Sequence, residues 1–276
     1  MPSVIDITSS EDEDQPKTFR DDLRAIYEPV VGAVVDALGG WENEVYVMGD
    51  DALGCLRDLR TLWRKDDTDD DRTIARICWE KRVLSNDLIP ILLQTAGKGL
   101  VEDKRAVACL DMITAMTWPI DVAAELQEID EVDLEADYTQ LLDSHRAYKA
   151  ALLKPGVMEA IFGIMLPPLA KGRKERKPKD GQIVNVVLHL VRNLAFIKEL
   201  PYNAYLSAEQ AEQSMLQSRF IRTLSQSNMI DVLLTIAANT ENDPLLTSWN
   251  TIILEILFLL FRGVKASDLT MDQSKV

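Results

Sequence analysis

Ile183–Phe196 reads IVNVVLHLVRNLAF, and two other stretches carry its counterpart, AVACLDMITAMTW from Ala106 and TIILEILFLLFRGV from Thr251. Each follows a shorter apolar segment: DLIPILLQ from Asp87, GVMEAIFGIML from Gly156 and NMIDVLLTIAA from Asn228. The chain thus holds three two-helix units, Asp87–Trp118, Gly156–Ile197 and Asn228–Val264. The second helix of each unit is too apolar to stand alone, and stacking on a neighbour is the simplest way to bury it. The expected fold is all-α, an irregular armadillo/HEAT-like right-handed α-solenoid, which points to binding before catalysis. Corresponding helices recur about every 70 residues, whereas simple armadillo or HEAT units take roughly 40–47. Intervening helices and long loops are expected to supply the difference.

Composition agrees. Of 276 residues, 47% are hydrophobic and only 6% aromatic, a balance suited to helix packing. Nothing reads as a hairpin ladder or as alternating strand and helix units. A net charge of −15 disfavours non-specific attraction to a phosphate backbone, so any nucleic-acid contact needs a local basic patch. Cys55, Cys78 and Cys109 are scattered and odd in number, which suggests buried free thiols. The first residues are polar and acidic, unlike a signal peptide. The longest apolar run, Ile252–Phe261, is interrupted by Glu255 and falls short of the roughly 20 residues that span a bilayer. An intracellular, soluble protein is expected.

Three domain segments follow. Residues 1–18 form a disordered acidic tail. There Val4, Ile5 and Ile7 beside acids fit the SUMO-interacting pattern, in which an aliphatic strand adds to the modifier's sheet; a plain solvated tail fits equally. Residues 19–265 form the helical domain, with an acidic excursion over 120–142 (a surface loop or mobile helix) and a basic loop over 171–181. Residues 266–276 form a flexible end. Within the domain, Asp21–Leu38 reads as an amphipathic helix that Pro29 kinks or divides. Asp50 and Asp51 suit the N-cap of a helix burying Leu53, Leu56, Leu59 and Trp63, and Asp87 the cap of the first unit. Asp66–Asp71 caps or precedes a helix over Arg72–Leu84, and a polar helix spans Glu209–Leu224.

Catalytic chemistry is not assembled. Of two histidines, His145 sits on a polar helix and His189 inside an apolar one, where a satisfied core role is expected. There is no metal-ligand spacing, P-loop, nucleotide-binding glycine pattern or nucleophile elbow, so neither an enzyme nor a cofactor is expected. The acids of Asp66–Asp71 lack the ligand alternation, central Gly and terminal Glu of a calcium loop.

The basic loop stands out against the acidic whole. Lys171, Arg173, Lys174, Arg176, Lys177 and Lys179 suit three roles: a solvated insertion, a contact to a phosphate backbone or an acidic partner surface, or a nuclear-import signal. No aromatics interleave, which disfavours stacking on single strands. Arg192, Asn193 and Arg262, at matching places in the second and third units, are candidates for a partner groove or for satisfying helix ends.

Leu53–Leu93, LGCLRDLRTLWRKDDTDDDRTIARICWEKRVLSNDLIPILL, resembles the start of the Timeless family. Leu56, Asp58, Leu59, Arg64, Asp66 and Asp67 match its Leu-x-Asp-Leu helix and acidic turn. Asn86 to Leu92 match the Asp-Leu-(Leu/Ile)-Pro-Ile-Leu stretch. The likeness continues at Tyr148-Lys149, Leu190–Leu194 and Glu255–Gly263, and covers the chain from about Val34. Family members are far longer, so the chain looks like an N-terminal piece, and the VIDI tail is similar to fungal members. The resemblance implies a nuclear scaffold of the replication fork protection complex with a Tipin-type small partner. It also implies travel with the replicative helicase, a grip on duplex DNA, and support for fork pausing, fork stability and the replication checkpoint. A generic armadillo peptide adaptor and the circadian branch of the family are the alternatives.

Overall fold

In the computed structural model, residues 19–120, 138–201, 207–239 and 244–265 are described. The tail with Val4, Ile5 and Ile7, most of the 120–142 excursion and the 266–276 end lie outside the described residues. What is described is all-α apart from one small hairpin.

Helix α1 (Phe19–Leu38) buries Val31, Val35 and Leu38, spaced to form one stripe, against α2 (Ala52–Trp63) and α3 (Thr73–Glu80). It runs on through Pro29, so the expected division into two helices does not occur. Pro29 and Ala25, whose carbonyl loses its helical partner, both face solvent, where water substitutes for the missing bond.

Strands β1 (Gly39–Glu42) and β2 (Val45–Met48) then form an antiparallel hairpin, pairing Gly39 with Met48 and Glu42 with Val45. This corrects the expectation of no hairpin. Asn43 and Glu44 both take positive φ (46° and 67°), the turn that matches strand twist. Gly39 is needed where it is: a Cβ there would stand 2.3 Å from the Val47 carbonyl oxygen. The hairpin is tied down by Trp41 Nε1 donating to Asn86 O (2.9 Å) and Gln94 Nε2 donating to Tyr46 O (2.7 Å).

Of the two candidate caps it is Asp51 that caps α2, its Oδ1 accepting from Gly54 N at 3.1 Å. Of the four residues expected on its apolar face, Leu56 and Leu59 are buried and Leu53 and Trp63 partly so. A 3-10 turn (Arg64–Thr68) leads to α3, which stops at Glu80, four residues short of the expected Leu84. Left-handed Arg82 (φ 54°) and a π-helical turn over Leu84–Leu88 follow. Asp87 sits inside that turn and is no cap; it is buried and accepts the Tyr46 hydroxyl at 3.0 Å.

Helices α4 (Ile89–Thr95) and α5 (Leu100–Met116) form the first unit. Helix α6 (Thr139–Leu152) takes up the last residues of the expected excursion. Helices α7 (Val157–Ala170) and α8 (Pro178–Phe196) form the second unit. Because Pro178 opens α8 at a position where its missing N–H costs little, Lys179 and Gly181 are helical, and the connection is only residues 171–177, not 171–181. The expected polar helix is two, α9 (Ala208–Gln213) and α10 (Leu216–Gln226), separated at Ser214–Met215. Helix α11 (Met229–Ala238), α12 (Pro244–Ser248) and α13 (Asn250–Phe261) complete the third unit.

Like packs on like: α4 on α7, α5 on α8, and α8 on α13. One hydrophobic cluster runs from Val31 through Leu110, Ile161 and Leu188 to Leu260. Cys78 and Cys109 are free and buried in it, and burial pushes both thiols up; Cys55 is free and partly buried. Among the described residues no single helix is long and apolar enough to cross a membrane.

Candidate functional site

The six basic residues of the 171–179 stretch divide by role. Lys171 Nζ pairs with Asp180 Oδ1 at 2.6 Å, and Asp180 Oδ2 accepts the Lys177 backbone N–H at 2.8 Å. Beside Lys171, the Asp180 carboxyl is held below the usual carboxylate range. Arg176 donates from Nε to Lys171 O (2.8 Å) and from Nη2 to Leu169 O (3.1 Å), closing the carbonyl end of α7. Lys171 and Arg176 therefore fasten the loop, while Arg173, Lys174, Lys177 and Lys179 are exposed.

Arg192 and Asn193 bind helix to helix. Arg192 Nε meets Glu255 Oε1 of α13 at 2.9 Å, and its Nη1 donates to Asn193 Oδ1 at 3.1 Å. Asn193 is fully buried, and its Nδ2 donates to Thr114 O of α5 at 3.1 Å. Arg262 is exposed just past α13, close enough to Lys149 for its charge to weigh on that ammonium. Lys149 itself is wholly buried, donating to Ile197 O (3.0 Å) and Gln217 Oε1 (2.8 Å) above the Phe220 ring; burial pushes it down to about 7.

A further feature escaped the sequence reading. Trp118, at the end of α5, is 49% exposed. The His189 ring stacks on it (centroids 5.6 Å apart, planes 16°), and the Arg192 guanidinium carbon lies 5.2 Å from its centroid. His189 is thus not a core residue as expected: it is partly exposed and its Nδ1 lies 2.8 Å from Asn185 O. One side of Trp118 borders a cleft of about 350 Å³ between α2, the turn after it, and α6, lined by Trp63, Arg64, Met116, Leu141 and Tyr148. On the other side a shallower hollow of about 190 Å³ continues over Asp111, Asn185 and His189. Arg60 lines both and pairs with Asp111 at 3.0 Å. His145, expected on a polar helix, is buried where that helix lines the cleft and is pushed down to about 4 by that burial. The signal available in the sequence was Trp118-Pro119 at a helix end together with Arg57, Arg60 and Arg64 at helical spacing, but nothing local brings them together. Among the described residues no group of His, Cys, Asp and Glu is placed to hold a metal ion.

The fold and these surfaces define an all-α protein of packed helix pairs that carries a basic stretch and an exposed tryptophan beside a cleft. The chain belongs to the Timeless family: the family described as Timeless protein matches residues 45–276. It is 40% identical over 264 residues to topoisomerase 1-associated factor 1 of Cryptococcus neoformans, covering 91% of this chain and 24% of that protein. To the proteins of the same name from Aspergillus oryzae and Aspergillus niger it is 34% and 32% identical, covering 89% of this chain and 21% of each. The chain therefore spans about a quarter of the length of these relatives.

Proposed function

We propose that this chain is a non-catalytic helical scaffold of the replication fork protection complex, acting in the nucleus. The observation that carries the reading is the Timeless match over residues 45–276. The packing of α4 on α7, α5 on α8 and α8 on α13 supports an irregular right-handed armadillo-like stack. Such a stack holds partners at set distances, so that coupling of the replicative helicase to the fork, fork pausing and checkpoint signalling follow from geometry. A Tipin-type small subunit is the expected constitutive partner. The relatives' name adds topoisomerase 1 as a protein with which the complex associates. SUMO binding through Val4, Ile5 and Ile7 belongs to the same reading.

Exposed Arg173, Lys174, Lys177 and Lys179 supply the contact to duplex DNA, in a chain whose charge otherwise repels it. Such a contact is independent of sequence and weakens steeply with salt. Lys171 and Arg176 present the loop and do not contact DNA themselves.

The test is a crosslinking pull-down from replicating nuclear extract, with and without nuclease, using the chain and an Arg173→Glu/Lys174→Glu/Lys179→Glu variant. Helicase subunits should be recovered with both chains after nuclease, and the variant should lose the additional DNA-dependent recovery. Absence of all replisome proteins would overturn the scaffold role, and unchanged DNA recovery by a folded variant would remove the basic loop from it.

A further inference from the structure

Neither the stack of helices nor the basic loop gives the Trp118 cleft a role, and the cleft is formed like a docking site. Trp118 keeps half of its surface in solvent while His189 and Arg192 hold its ring in place. A rigid aromatic that is ordered before binding loses little entropy on contact, and Trp, Tyr and Arg dominate the energetics of interfaces. At about 350 Å³ the cleft beside it has room for one or two side chains and none for a helix.

Its rim carries Arg60, Arg64 and Arg72 beside Asp66 and Asp67, in a chain of net charge −15. Arg57, Arg60 and Arg64 lie at i, i+3 and i+7 on and just past α2, and Arg60 and Arg64 reach the cleft. Asp66, which also borders it, has both oxygens occupied by the Ile74 and Ala75 N–H groups at 2.9 and 2.7 Å. Met116, Leu141 and the Tyr148 ring supply apolar lining beside Ser144 and His145.

We infer that the Trp118 cleft seats an acidic peptide of a partner protein, with one apolar side chain in the cleft beside Trp118 and flanking carboxylates on Arg64 and Arg60. Nucleic acid fits it less well. The apolar side chains of Met116, Leu141 and Tyr148 offer a continuous phosphate backbone nothing. The inference stands independently of the fork assignment, since it rests only on the cleft's shape and charge.

The test follows the indole N–H signals of the nitrogen-15-labelled chain, with Trp118→Phe used to assign the Trp118 signal. The probe is a ten-residue peptide, Glu-Asp-Glu-Asp-Leu-Phe-Asp-Glu-Asp-Glu, titrated beside a control in which every acid is replaced by its amide. The acidic peptide should move the Trp118 signal and the control should not. Affinity should drop about tenfold or more in Trp118→Ala and in Arg64→Glu, the size of one lost anchoring contact. The Arg173→Glu/Lys174→Glu/Lys179→Glu variant should bind as the parent does. Equal response to the control peptide, or undiminished binding by folded Arg64→Glu, would overturn the inference. A duplex oligonucleotide moving the Trp118 signal at lower concentration than the peptide would overturn it in favour of nucleic acid. Markedly tighter peptide binding after neutralising the acids between 121 and 137 would assign the cleft to the chain's own acidic segment and overturn the partner reading.

Discussion

Asp66 stands in a run of five aspartates that, as sequence, passes for solvated charge, yet it is buried and organises the start of α3. The first turn of a helix leaves N–H groups without helical partners, and Asp66 accepts two of them from eight and nine residues downstream. Its neighbour Asp69 accepts a third, from Thr73 at 2.9 Å. Burial pushes the Asp66 carboxyl up to about 7 and that of Asp87 up to about 6, against an ordinary value of 3.8. The folded chain then binds protons that the unfolded chain has already released, so these two groups lower stability as pH rises from about 4 to about 7, and His145, held down at about 4, offsets part of that fall below about 6.5. Lys149 acts with the opposite sign in the next window. Its folded value of about 7 lies below the ordinary 10.5, so the unfolded chain binds the extra proton and stability rises between these values. Urea midpoints measured from pH 4.5 to 10 should show a minimum near pH 7. Asp66→Asn should flatten the acid limb and Lys149→Met the alkaline limb. An unchanged acid slope in Asp66→Asn would mean that the carboxyl stays ionised throughout, as its two N–H partners favour.

At the scale of elements, the hairpin shows what local pattern conceals. Its strands are four residues each, too short for alternation to register, and the turn reads Asn43-Glu44 where Asn-Gly is the recognisable signal. Glu44 carries a side chain at φ 67°, a conformation glycine adopts freely. Glu44→Gly should therefore raise stability by about 0.5–1 kcal/mol, less the added entropy of the unfolded chain, read as a higher melting temperature. A lower one would show that the Glu44 side chain itself holds the turn. Pro29 was misread for a related reason. Proline breaks a helix through the bond it removes, and that cost depends on whether water can reach the freed carbonyl, which is a matter of which face of α1 is covered.

At the scale of the whole molecule, three helices alike in composition meet different fates. Helices α5 and α8 are covered by neighbours, whereas α13 packs one face on α8 and leaves Leu254, Phe258 and Phe261 exposed. Ile256 is fully buried and Phe258 is 65% exposed, two residues apart on one helix. Ile256→Ala should cost about 2–5 kcal/mol and Phe258→Ala within about 0.5, as chemical denaturation would show. Comparable costs would mean that the outer face of α13 is covered in solution. The basic stretch teaches the same lesson. Six like residues within nine positions look equivalent, but two are consumed in closing α7 and holding the start of α8, because the loop must satisfy its own carbonyls and its own carboxylate.

The sequence alone determined the all-α class, the three helix pairs, a cap at Asp50 or Asp51, the family and the isolation of the basic stretch. These rest on spacings within a helix turn or two, and on short motifs, which need no knowledge of distant residues. Only the tertiary structure decided that Trp118 gathers His189 and Arg192 beside a cleft, that Arg60 reaches Asp111, and that a lysine lies in the core. Those contacts join residues far apart in the chain, as in the Lys149–Gln217 bond across 68 positions. Periodicity reports which side of a helix is buried; which partner buries it is settled by how the helices pack.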